Sequence, residues 1–349
     1  MTPLITEHVV KSDRTTTHYL QAGPEDGPVV MLVHGYPDLA TSWRHQMHLL
    51  ASMGFRAVAP HMRGYAGSSA PANVEAYAVE ESVADLLELL EEIGADKAVW
   101  VGHDCGAAAV WGLASHHPDK CLAVATLCVP YLPQGFTLDV VGALANKDIY
   151  PADRFPYGQW GYWAYQVFHA AESDAQLDSD VESAVRMIFQ RTNPASFGTN
   201  VGGDAIAAPR GWTPVLDYMK TQPISSTVLS EEDYHAYVAS ARRNGFGPIN
   251  NYYRNGDRNA AYAATAVNGG RIDLPVLFIH ARYDRSCQTI GSDLAEPMRA
   301  HCADLVEAEV EAGHWVQQEK PMDVNAALVE WLATRVPATF AARIKRPAS

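Results

Sequence analysis

The residues best placed to do chemistry lie in the run Trp100-Val101-Gly102-His103-Asp104-Cys105-Gly106. Apolar residues 98–101 read as a strand, Gly-x-Asp-x-Gly follows, and Ala107-Ala108-Ala109-Val110 continues as a small-residue helix. A glycine on each side lets the backbone turn sharply from strand to helix, which lifts the central side chain over the sheet edge. A carboxylate held there needs no deprotonation. It can displace a leaving group from a saturated carbon and form an alkyl ester. Alone, the pentapeptide reads equally well as a turn whose Asp caps the next helix.

An Asp nucleophile needs a base, an acid to orient the base, and donors for an oxyanion, and each has a candidate. His314 lies in Glu311-Ala312-Gly313-His314-Trp315, between the last strand pattern and the last helix pattern. Asp284 lies just past the apolar run 275–280, where its carboxylate can fix the tautomer of a histidine and stabilise its charged form. The order Asp104, Asp284, His314 is the nucleophile, acid, base order of an α/β-hydrolase. His34-Gly35-Tyr36-Pro37 follows the apolar strand 29–33, so the N–H groups of Tyr36 and Cys105 are expected to form the oxyanion hole. One such donor is typically worth about 3 kcal/mol in the transition state. Singly, each position has an ordinary explanation as a helix cap, a turn or a loop; three in the right order make coincidence a poor account.

These motifs, with Met62-Arg63-Gly64-Tyr65, Ser68-Ser69-Ala70-Pro71, Lys320-Pro321 and Asn251-Tyr252-Tyr253-Arg254-Asn255, resemble the α/β-hydrolase-fold epoxide hydrolases over nearly the whole chain. The resemblance implies a lid over the catalytic edge, with two lid tyrosines gripping the epoxide oxygen. Tyr253 matches one of them. Tyr165, in Ala164-Tyr165-Gln166-Val167-Phe168, matches the other, with Tyr162 and Tyr252 as rivals among sixteen tyrosines. It also implies a cis Tyr36–Pro37 bond and a substrate bordered by His34, Pro37 and Trp315. Many relatives carry Trp after the nucleophile, and this chain has Cys105. The backbone N–H survives that change, the pocket floor does not, and a thiol beside a carboxylate should have a raised pKa and no nucleophilic role.

The elements that must position these groups alternate apolar, β-branched runs with helical periodicity, as in a mostly parallel sheet. Strands are expected at 29–33, 56–59, 98–101, 122–127, 275–280 and 305–310, with an antiparallel opening pair at 5–10 and 15–20. Helices are expected at 42–53, 79–93 and 323–336. From 130 to 270 the texture turns to Trp, Tyr, Pro and Gly, with helical periodicity at 180–190 and 231–243. The predicted architecture is an α/β-hydrolase fold, its mostly parallel sheet flanked by helices. The core comprises 1–130 and 271–349, with a mainly helical lid, 131–270, inserted between them.

The composition of the 349 residues, 48% hydrophobic and 19% charged, supports a large buried core. A net charge of −14 disfavours nucleic acid and anionic membranes, and favours a neutral substrate. No apolar run is long enough to span a membrane and no secretory signal is visible. The five scattered cysteines read as reduced core thiols, pointing to the cytoplasm. His45 with His48, and His116-His117, lack converging partners, so no metal is expected; without GxGxxG or GxxxxGK order, no nucleotide is either. Oligomeric state leaves no mark in the sequence. The expected function is hydrolysis of a small, neutral, apolar epoxide to a vicinal diol through an ester on Asp104, with no cofactor. The alternatives are a dehalogenase using the same aspartate, or a non-catalytic ligand-binding protein of the same fold.

Overall fold

A computed structural model of the chain describes residues 3–200 and 210–337. Eight strands form one sheet in the order β1-β2-β4-β3-β5-β6-β7-β8. They are β1 (Thr6–Lys11), β2 (Thr16–Ala22), β3 (Val29–Val33), β4 (Arg56–Pro60), β5 (Ala98–His103), β6 (Cys121–Leu127), β7 (Ile272–Ala281) and β8 (Cys302–Val310). β1 and β2 pair antiparallel, β2 meets β4 antiparallel, and every later pairing is parallel. All the expected strands are present. β7 begins earlier than its apolar run, and its pairing with β8 slips register between Ile272 and Pro275, where proline has no N–H for the ladder.

Helices α1 (Arg44–Ser52), α2 (Val79–Glu92) and α3 (Cys105–His116) cover the first half of the sheet. α12 (Glu296–His301), α13 (Val316–Glu319) and α14 (Pro321–Arg335) cover the second. Between β6 and β7 the described residues contain no strand. They hold α4 (Leu138–Leu144), α5 (Gly161–Phe168), α6 (Ala170–Ser179), α7 (Val181–Ile188), α8 (Thr213–Met219), α9 (Glu231–Asn244), α10 (Phe246–Asn250) and α11 (Gly256–Ala263). The 180–190 pattern emerges as α7 and the 231–243 pattern as α9, whose start carries a Ser230–Asp233 capping box. The core runs along β3 and β5, whose every residue is buried because helices pack on both faces.

β5 and α3 meet at the elbow, and the strain falls on the central residue rather than on the glycines beside it. Asp104 itself takes φ +52° and ψ −126°, a region that L-residues rarely occupy and that costs about 1–3 kcal/mol. The flanking glycines are needed for closeness. A Cβ on Gly106 would lie 2.3 Å from the Val33 carbonyl oxygen, and one on Gly102 would lie 2.7 Å from Ala107 Cα. A Cβ on Gly35 would meet Asp104 Cβ at 2.4 Å. These three contacts press the start of α3, the end of β3 and the 34–37 turn together, and the Tyr36–Pro37 bond within that turn is cis.

Gly106→Ala is therefore expected to destabilise the protein by about 3 kcal/mol, since backbone must shift to admit the methyl. Gly256→Ala is the control: no atom lies within 4 Å of the space its methyl would enter, so it should change stability by about 0.5 kcal/mol or less. Urea titration of both variants checks the difference.

Candidate active site

The elbow lifts the Asp104 carboxylate into a cavity between the sheet edge and the helical insertion. Its Oδ1 accepts the Tyr36 backbone N–H at 2.7 Å, and its Oδ2 lies 3.5 Å from His314 Nε2. His314 Nδ1 lies 2.8 Å from Asp284 Oδ2. Asp284, on the loop after β7, is fixed in turn by the N–H groups of Ser286 (2.8 Å) and Cys287 (3.0 Å) on its Oδ1. The three residues anticipated as nucleophile, acid and base thus form one hydrogen-bonded row.

The electrostatics follow from putting one imidazole between two buried carboxylates. Burial alone would lower the His314 pKa, but the Asp284 charge and the hydrogen bonds to both aspartates raise it well above its ordinary value. Burial would likewise raise the Asp104 carboxyl. His314, His103 and the Tyr36 N–H outweigh that and hold it well below the usual carboxylate range. At rest the row is carboxylate, imidazolium, carboxylate.

His103 supports the row from below. It donates from Nε2 to the His314 carbonyl at 2.8 Å, and its Nδ1 lies 3.3 Å from Gln317 Nε2, from which it accepts. Burial lowers its pKa to about 4, consistent with this neutral tautomer. Cys128 Sγ also donates to the His314 carbonyl, at 3.4 Å. His103, Cys128 and His314 bring ligand-type atoms within 4.8 Å of one another. All three already serve this row, and burial keeps the Cys128 thiol protonated, so they make a poor metal site.

Gln317 also reaches Asp38 Oδ2 at 3.3 Å, and Tyr237 of the helical insertion donates its hydroxyl to Asp38 Oδ1. Burial pushes the Asp38 carboxyl up to about 6, against the hydrogen bonds it accepts. The sequence reading missed this buried carboxylate; its place right after the His-Gly-x-Pro turn was the available signal.

The cavity, about 340 Å³, is lined by Tyr36, Asp104, Tyr162, Tyr253, His314 and Trp315, among others. Tyr253 rides a 3₁₀ turn (Asn251–Arg254) that its own motif builds. Arg254 grips Asp174 through both Nη atoms and the Gln166 carbonyl through Nε, while Asn255 Nδ2 donates to Val74 and Asn251 carbonyls. Trp163 Nε1 donates to the Tyr253 carbonyl at 2.7 Å, and the Tyr253 ring stands edge-on to Tyr36, centroids 4.9 Å apart.

The second tyrosine corrects the sequence reading. Tyr162 faces Tyr253 across the cavity, ring centroids 6.0 Å apart, whereas Tyr165 does not line it. Tyr165 sits three residues further round α5. Its hydroxyl donates to Gln176 Oε1 at 3.3 Å and its ring stacks on His169. Packing of α5 against α6 and the 251–254 turn sets this rotation, which a motif match cannot see.

The expected substrate contacts are also redistributed. His34 is fully buried under the turn: Nδ1 donates to the Gly35 carbonyl and Nε2 accepts the Met62 N–H. Burial lowers its pKa to about 3, so it is a neutral strut away from the cavity. Pro37 packs instead in a small separate void with Tyr65, Phe189 and Tyr237. Trp315 does line the cavity, stacked on Phe189 with its Nε1 donating to the Ile188 carbonyl. Cys105 opens α3, where an N–H has no intrahelical acceptor. Burial, then the Asp104 charge, raise its thiol pKa well above the ordinary value, as expected.

Comparison with known proteins agrees with this geometry. Residues 28–321 match the family model described as the alpha/beta hydrolase fold. The chain is 35% identical to epoxide hydrolase A of Mycobacterium tuberculosis, the match covering 94% of this chain and 97% of that one. It is 29% identical to bifunctional epoxide hydrolase 2 of Sus scrofa over 91% of this chain and 53% of that protein, so it spans about half of that longer relative. The crystal structure of epoxide hydrolase A from Mycobacterium thermoresistibile superposes with a TM-score of 0.77 at 32% identity, covering 95% of this chain and 99% of that one. An aspartate at the elbow, its histidine and acid in hydrolase order, and likeness to these relatives from end to end converge: the chain belongs to the epoxide hydrolases of the α/β-hydrolase fold.

Proposed function

We propose that Asp104 opens an epoxide ring held by Tyr162 and Tyr253, and that His314 then directs water onto the resulting ester. The observation that carries this reading is the pair of tyrosines opposite the Asp104 carboxylate in one cavity. Burial raises both phenol pKa values well above the ordinary range, so both hydroxyls are protonated and able to donate to the ring oxygen. The two donors suit a developing alkoxide better than a departing halide.

Asp104 attacks one ring carbon, the C–O bond breaks, and a tyrosine proton passes to the oxygen. Esterification removes the negative charge 3.5 Å from His314 Nε2, a change worth about 5 kcal/mol at an effective dielectric near 20. The imidazolium loses one of the two carboxylates that hold its proton and passes that proton, by way of water, to the tyrosinate. This restores the phenol and leaves His314 neutral and able to act as a base. Asp284 keeps its Nδ1–H oriented. Water attacks the ester carbonyl, and the N–H groups of Tyr36 and Cys105 stabilise the oxyanion. Collapse releases the diol and leaves one water-derived oxygen in Asp104.

In this reading residues 131–270 act as the lid. The apolar wall of Leu177, Met187, Ile188, Trp212 and Val215 suits a neutral epoxide with a mostly apolar body. The five free cysteines suit a reducing compartment such as the cytoplasm. No helix among the described residues is long and apolar enough to cross a membrane.

Three outcomes test the scheme. A single turnover in heavy-oxygen water should label Asp104 and leave the diol unlabelled, and His314→Gln should trap the ester, visible by mass spectrometry, with hydrolysis slowed about 10³-fold; label in the first-turnover diol excludes the ester. Tyr162→Phe should slow ring opening about 10²-fold or more, while Tyr165→Phe should change it about twofold at most. The pH profiles of the two steps should separate. Asp104, its pKa depressed, stays ionised into acid, so ring opening persists there; hydrolysis needs neutral His314 and is lost as pH falls. Rapid quench between about pH 8 and 5 should then show ester accumulating toward the acid end.

A further inference from the structure

The turn entering α5 places Gln159 on the cavity wall, three residues before Tyr162. It is 9% exposed, and neither Oε1 nor Nε2 has a hydrogen-bond partner among the described residues. Three other glutamines of the insertion are at least partly paired, although Gln166 Oε1 has no partner among the described residues. Gln166 Nε2 donates to the Tyr36 hydroxyl and to Asn250, Gln176 Oε1 accepts the Trp212 N–H, and Gln190 Nε2 donates to the Arg186 carbonyl. A buried amide with both ends unmet destabilises the fold, and a leucine or methionine would fill the same space without that penalty. Gly158 holds φ +57° with Ala145 against it, and Trp160 is buried on the other side. Such an orphan pair in the wall of a binding cavity is what a polar group on the ligand would satisfy.

We infer that Gln159 determines specificity: the preferred substrate is an epoxide that also carries a hydroxyl, and the Gln159 amide receives that hydroxyl while Tyr162 and Tyr253 hold the ring oxygen. A hydroxyl is the smallest group with both a donor and an acceptor, so it pairs with either end of the amide. The inference rests on the epoxide-opening reading above. It changes the expected substrate from a plain apolar epoxide to one with an apolar body and one polar arm.

The test uses matched terminal epoxides on one alkyl chain, bearing hydrogen, methoxy or hydroxyl at each carbon in turn. At the best position the wild type should favour hydroxyl over hydrogen by about tenfold in kcat/KM, the ratio one net hydrogen bond supports. Gln159→Leu should bring that ratio to about one. Gln159→Glu, which can only accept, should still prefer hydroxyl over methoxy, and keeps the test alive if the leucine variant misfolds. A wild type with no preference, or a Gln159→Leu protein of native Tm that keeps the full preference, overturns the inference. Turnover of the hydrocarbon epoxide is the separate check: its presence without any hydroxyl preference leaves the epoxide reading standing and removes this one, whereas failure on every epoxide removes both.

Discussion

The site depends on one contact, the 2.7 Å hydrogen bond from the Tyr36 N–H to Asp104 Oδ1. It forms only because Gly35 carries no side chain where Asp104 Cβ already sits, and Gly106 none where the end of β3 passes. Asp104 is held at a strained φ of +52°, and the packed sheet on either side over-determines that conformation. Strain, close approach and the oxyanion donor are therefore one device. It aims the carboxylate and, in the proposed scheme, supplies the donor for the ester carbonyl.

Charge balance is the second constraint. Two carboxylates are buried with one imidazole between them, and each holds the other groups in the ionisation state that the first step needs. In the proposed scheme the same arrangement turns the imidazole into a base once Asp104 is esterified. His103 and Cys128 hold the His314 backbone carbonyl, and Gln317 carries that support across to Asp38 and to Tyr237 of the insertion.

The insertion shares one hydrophobic cluster with the core and is also tied to it through Tyr36. The Tyr36 hydroxyl donates to Asn250, Asn250 donates to Asp174, and Arg254 clamps Asp174 from the far side. Tyr36 thus offers its N–H to Asp104 and its hydroxyl to the insertion. Tyr253 is built into that network, so its place in the cavity is set by the contacts that join the insertion to Tyr36. Gln159 differs from Gln166 in the same wall in that both ends of its amide, and not one alone, are unmatched among the described residues.

Much of this was legible in the sequence because it is local or ordered along the chain. The elbow is a strand, five residues and a helix; Asp284 and His314 follow their own strands; the Asn-x-Tyr-Arg-Asn run folds its own turn and presents Tyr253. What the sequence could not decide is rotational and long-range. Tyr162 and Tyr165 share a helix and a composition, and only the packing of α5 on its neighbours turns one to the cavity and the other to Gln176. His34 looked like a substrate contact because it adjoins the oxyanion turn, yet burial makes it a strut bonded to Met62. The strain at Asp104, the carboxylate of Asp38 and the unmet amide of Gln159 likewise depend on atoms brought together from distant segments. Residue type and order determined which chemistry the chain can perform; close packing determined which side chains face it, because a helix's phase and a buried group's partners are settled only when the elements meet.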